Sequence, residues 1–121
     1  MPTSKLDILA PGAAGDDELL RQVARGDRAA QRTVLARLAR RVHLVSVALL
    51  RDERDAEDAT RSALRGILER AATFEGQMSL EVWATRIAVA TAAARAEARQ
   101  TSSRRSREKR ERGARADRSG P

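Results

Sequence analysis

Apolar residues recur at intervals of three and four along most of this chain, the period of an amphipathic helix. Leu19, Leu20, Val23 and Ala24 mark a first short helix near residues 16–25. Asp16, Asp17 and Glu18 stand at its start, where free backbone N–H groups favour acids, and Gly26 follows its end. Asp27 is placed to cap a second helix over residues 29–50, whose stripe is Leu35, Leu38, Val42, Val45 and Leu49. His43 falls off that stripe and reads as a partly exposed helix histidine. A third helix over 55–72 aligns Ala59, Ala63, Leu64, Ile67, Leu68 and Ala71. Gly66 inside it costs about 1 kcal/mol relative to alanine, which predicts a close helix contact there. After a break at Glu75-Gly76-Gln77, Ser79 can cap a fourth helix over 79–99 with Leu80, Trp83, Ile87, Ala90 or Thr91, and Ala94 on its apolar face. Trp83, Ile87, Leu38, Val42, Val45, Ile67 and Leu64 are the expected core. The fold class is all-α: a small helical bundle with no sheet.

Both ends differ from this middle. Residues 1–15 hold Pro2, Pro11, Gly12 and Gly15 and no apolar period, so a flexible arm is expected. Residues 100–121 carry eight arginines and lysines against three acids, a net +5 of the chain's +7, with no apolar stripe. They read as a basic, disordered tail. The domain proper is then 16–99, small enough that its core is modest.

Charge and composition narrow the chemistry. A basic balance favours a polyanionic partner, nucleic acid first. The 121 residues include no cysteine and one histidine, so neither a disulfide nor a zinc site is expected, and no cofactor. Aromatics make up 2%, too few for a base-stacking sheet. No run approaches the ~20 apolar residues that span a bilayer. Ile8-Leu9-Ala10 is cut by Pro11 and is no signal-peptide core, so a cytoplasmic protein without membrane contact is expected. Catalytic signatures such as a Gly-rich phosphate loop, HExxH or a nucleophile elbow are missing, so no enzyme is expected. Asp55 and Asp58 as a pair could hold a cation, but at a helix start capping and the helix dipole already account for them.

Several words stand in a telling order: Glu18-Leu19-Leu20, Arg25-Gly26-Asp27-Arg28-Ala29-Ala30, Val42, Leu49-Leu50, Asp55-Ala56-Glu57-Asp58, Phe74 with Gly76, Ser79, Trp83 and Arg86-Ile87-Ala88. Single words carry little; their order and spacing over about two thirds of the chain resembles region 2 of bacterial extracytoplasmic-function sigma factors. The resemblance implies a transcription-initiation role. The third helix would bind the clamp helices of the largest subunit of RNA polymerase core, through Asp55, Asp58, Arg61, Ser62 and Arg65. The loop and fourth helix would meet the promoter −10 element through Phe74, Gly76, Ser79, Arg86, Arg95 and Arg99, holding an unstacked base near the loop and the displaced strand along the cations.

The chain departs from that pattern at defined places. Arg61 and Ser62 stand where the family has a Gln-Glu pair. Val34, His43, Leu64 and Leu68 fill aromatic slots, Ala90 replaces an Asn, and Ala94 replaces an Asp. No region 4 follows, so no reader of the −35 element is expected. Three readings follow. The first is a sigma-like protein on polymerase and promoter DNA. The second is a diverged module for a regulatory partner such as an anti-sigma-like protein. The third is a nonspecific basic DNA-binding protein that works through its tail.

Overall fold

The computed structural model describes residues 14–118, and among them every regular element is helical. Helix α1 spans Ala14–Ala24, α2 Arg28–Leu49, α3 Glu53–Glu69 and α4 Leu80–Arg118, with a single 3₁₀ turn at Ala71–Thr73 between α3 and α4. Of the expected N-terminal arm, residues 1–13 lie outside the described residues, while Ala14 and Gly15 already open α1.

The boundaries follow from local chemistry. Gly26 takes φ +89° after α1, a left-handed turn that costs glycine little. Asp27 Oδ1 accepts from the Ala30 N–H at 2.9 Å, and Asp52 Oδ1 accepts from the Asp55 N–H at 2.9 Å, so α2 and α3 both begin on an aspartate cap. Ser79 Oγ accepts from the Val82 N–H at 3.1 Å and starts α4. Each such cap is worth about 1 kcal/mol.

Helices α2, α3 and α4 pack on one another pairwise, and α1 closes the end of the bundle against the 3₁₀ turn and α2. The main core joins Leu20 and Val23 from α1, Val34, Leu38 and Val42 from α2, Ala63 and Ile67 from α3, and Phe74, Leu80, Ala84, Ile87 and Ala88 from the loop and α4. Each fully buried leucine or isoleucine contributes about 1.5–3 kcal/mol. A smaller cluster at the other end, Leu50, Ala56, Ala59 and Ala92, is built mostly of alanine, which lets the three helices converge there.

The stripes are rotated from those expected. Helix α2 buries Ala30, Val34, Leu38, Val42 and Ser46, whereas Val45 is half-buried and Leu49 is exposed. Ser46 fits the core because its hydroxyl donates to the Val42 carbonyl at 3.0 Å. Helix α4 buries Ala84, Ala88 and Ala92, while Ala90 and Ala94 face solvent. Trp83 and Leu64 pack against the core from its margin. Alanines carry no sign of which side is inside, so their exact row was the part of the pattern most open to error. Gly66 does face α4, but a methyl group there would sit 3.7 Å from Ile87 Cγ2, an ordinary contact, so the position does not demand glycine.

The expected disordered tail is instead the continuation of α4 to Arg118. Arginine, glutamate and alanine are strong helix formers, and a helix already nucleated by packing extends without a further nucleation cost. Glu108–Arg112 and Glu111–Arg115 stand at the favourable i,i+4 spacing, which supports helix without any apolar stripe.

Candidate functional site

At the alanine-lined end of the bundle, α3 and α4 are joined by charge. Asp52, Asp55 and Asp58 lie three apart on α3 and its cap, so they share one face; Arg95 and Arg99 lie four apart on α4. Asp55, with its side chain 7% exposed, accepts from Arg95 Nε at 3.3 Å on Oδ1 and from Arg99 Nη1 at 2.6 Å on Oδ2. Arg95 Nη2 also donates to Asp58 Oδ2 at 2.8 Å, and Arg99 Nη2 lies 4.0 Å from Asp52 Oδ2. Asp58 Oδ1 accepts from Arg61 Nη2 at 2.6 Å. The Arg61 hydrogen bond, aided by the field of Arg95, holds the Asp58 carboxyl below the usual aspartate range. The Asp55 backbone N–H, aided by Arg99, does the same for Asp52.

This arrangement corrects two expectations. Asp55 does not belong to an exposed face of α3, because it is spent on α4. Arg95 and Arg99 are not free cations along a strand path, because carboxylates neutralise them. Of the set expected to meet polymerase, Asp58 stands at the edge of the ion-pair cluster and Arg61, Ser62 and Arg65 are exposed. Positions 58, 61, 62 and 65 recur at i, i+3, i+4 and i+7 and so form one strip along α3.

The set expected to meet DNA is not one surface. Phe74 is 8% exposed and meets Trp83 edge-on, with ring centroids 5.2 Å apart and planes at 63°. It anchors the loop from inside. Gly76 takes φ +76°, and a Cβ there would lie 2.7 Å from Asp17 Oδ1, so the loop requires glycine where it passes α1. The Ser79 hydroxyl is engaged in capping α4. Arg86 is exposed, but nine residues separate it from Arg95, half a rotation of the helix. It therefore projects from the opposite side of α4, alongside the exposed Val82 and Val89.

Sequence reasoning missed a second charged junction. Arg37 of α2 donates to Asp16 of α1 (2.8 and 3.4 Å) and to Glu81 of α4 (Nε to Oε1, 2.7 Å), pinning three helices together. Burial is the largest influence on Glu81 and opposes its ionisation, but the Arg37 hydrogen bond, a backbone hydrogen bond and the fields of Arg37 and Arg41 together lower its pKa. Burial likewise works against the Arg37 charge, and the bonds to Asp16 and Glu81 raise its pKa in spite of it. No spacing rule links residues so distant in sequence; only the absence of any acid in α2 hinted that Arg37 finds its partners elsewhere.

Among the described residues no group of three or more potential metal ligands comes together, and no helix is long and apolar enough to cross a membrane. No protein-family model, curated protein or solved structure matches the chain.

Proposed function

We propose that this chain is a sigma region 2-like transcription protein that docks on RNA polymerase core through α3 and approaches promoter DNA with α4. The observation that carries the reading is the exposed strip Arg61, Ser62 and Arg65, with the half-buried Asp58 at its edge, on the helix that the resemblance assigns to the clamp helices. The cluster behind it fixes α3 against α4, so the strip is presented on a rigid support. DNA affinity then comes from phosphate contacts along the outer part of α4, where Arg104, Arg105, Arg107, Lys109, Arg110, Arg112 and Arg115 outnumber Glu108 and Glu111. Such contacts weaken steeply with salt and hold no base information.

A second reading is favoured by the neutralised Arg95 and Arg99: a diverged module that binds a protein partner without −10 preference. Capture of core polymerase by the full chain separates the two. Arg61→Glu with Arg65→Glu should abolish capture, and Arg61→Gln with Ser62→Glu should strengthen it. Capture indifferent to all four changes would reject α3 as the polymerase surface and leave the second reading in its place.

A further inference from the structure

Helix α2 holds more apolar residues than the bundle uses. Its inner row is fully committed, with Val34, Leu38 and Val42 at 0% exposure. On its outer side Leu44 is 56% and Val47 48% exposed, an arrangement with no internal purpose. Arg40, Leu44 and Val47 stand at i, i+4 and i+7 along one line of the helix. Arg41 flanks the line, and Arg40 has no ion pair among the described residues. The whole of Arg28–Leu49 contains five arginines and no acid. The inner row locks the helix, so this face is preformed.

We propose that this outer face of α2 docks an acidic amphipathic helix of a partner protein, with aliphatic side chains meeting Leu44 and Val47 and carboxylates meeting Arg40 and Arg41. The chemistry selects this occupant. A nucleic-acid backbone would satisfy the arginines but would desolvate Leu44 and Val47 against phosphate. An anionic bilayer calls for a broad apolar face with large side chains such as Trp, Phe and Leu, and here the centre is one leucine and one valine. A second copy meeting the same face about a two-fold axis would set arginine on arginine, since this helix offers no acid and Glu81, the acid that lines the same groove from α4, is already bonded to Arg37. A helix that repeats aliphatics at i, i+3, i+4 and i+7 with glutamates on either flank satisfies both the apolar line and the charge. The face lies on α2, apart from the α3 strip, and does not depend on the polymerase reading.

The test uses the full chain and a fluorescent designed helical peptide with leucines at that spacing flanked by glutamates, beside a scrambled peptide of the same composition. The designed peptide should bind and the scrambled one should not. Leu44→Ser with Val47→Ser should weaken binding about tenfold or more, as expected for central apolar anchors. Arg40→Glu with Arg41→Glu should weaken it mainly at low salt, and Arg61→Glu with Arg65→Glu should leave it unchanged. All substituted side chains are exposed, and unchanged thermal melts would confirm intact bundles. Binding that ignores the Leu44 and Val47 changes, equal binding of the scrambled peptide, or loss of binding on reversing Arg105, Lys109 and Arg112 instead would overturn the assignment. So would Leu44- and Val47-dependent capture by phosphatidylserine vesicles without any capture of the designed peptide.

Discussion

Over residues 80–96, α4 buries Leu80, Ala84, Ile87, Ala88 and Ala92 and fastens itself with Glu81 at one end and Arg95 at the other. Over residues 97–116 of the same helix every residue is exposed. The inner half is helical because tertiary contacts hold it. The outer half is helical because its residues favour the state and the inner half nucleates it. At 1.5 Å per residue the roughly twenty residues past the cluster extend about 30 Å beyond the bundle. One continuous element thus joins a rigid domain to an uncovered basic arm.

The sharpest way to break this contrast is a cavity in the inner half's packing. Ile67 and Leu80 are both 0% exposed, and Ile67→Ala or Leu80→Ala should each cost about 2–5 kcal/mol. Chemical denaturation should show it, while Ser106→Ala in the outer half should leave the midpoint in place. Equal midpoints for all three proteins would mean that the bundle does not depend on this core. Trp83→Ala should cost less than a fully buried aromatic does, because Trp83 sits at the margin.

Next comes the Asp55 junction. Asp55→Ala removes the acceptor shared by Arg95 and Arg99 and should cost about 1.5–3 kcal/mol, the range of hydrogen bonds to charged groups. Both arginines remain partly solvated, which keeps the loss below that of a fully buried pair. Amide exchange should quicken around residues 92–100 before it does so in α1 or α2. A uniform change along the chain would show that the cluster does not specifically tether α4.

Smaller, and opposite in sign, is Gly66→Ala. The new methyl meets Ile87 at ordinary distance, and alanine is favoured over glycine inside a helix, so about 1 kcal/mol of stabilisation is expected. A lowered melting temperature would mean that α3 and α4 approach more closely than the 3.7 Å contact implies.

The bundle itself was legible in the sequence because leucine, valine and isoleucine recur at helical spacing and aspartate or serine stands before three of the helices. What stayed hidden had weaker local signals. The inner row of α4 is mostly alanine, and a run such as Ala92-Ala93-Ala94 looks alike from every side. Asp55, Arg95 and Arg99 were all singled out by type, yet their pairing depends on which way α3 and α4 face each other. The acids at the start of α3 were read as dipole partners, a role that does not predict a salt bridge forty residues away. The outer half of α4 was misjudged because an apolar stripe was required of it, and a helix already nucleated needs none.

Acid titration probes the inner half more gently. Glu81, Asp52 and Asp58 have pKa values lowered in the fold, Glu81 from an ordinary 4.5 and Asp58 from 3.8. A carboxyl with a depressed folded pKa contributes stability that is present above its unfolded value and is lost as pH falls through the folded one. Denaturation midpoints should therefore stay level from neutral pH down to about 5 and decline below 4.5. A decline already under way above pH 5 would mean that these carboxylates are not its source.

The smallest effect is expected in the outer half. Glu108→Gln and Glu111→Gln each remove the acid of an i,i+4 pair with Arg112 or Arg115, and such pairs contribute about 0.2–0.5 kcal/mol to an isolated helix. Glutamine has nearly the helix propensity of glutamate, so the change isolates charge. Global denaturation should not move, since no core residue lies in this segment. Local amide exchange at residues 104–116 should quicken by less than about threefold, and salt should erase the difference between variant and parent. The same substitutions raise net positive charge by two, so duplex binding at low salt should tighten while local helicity falls. Weaker binding after these changes would mean that the arm must be helical to hold phosphate. A shifted global midpoint would mean that the outer half is coupled to the bundle, and the contrast within α4 would fail.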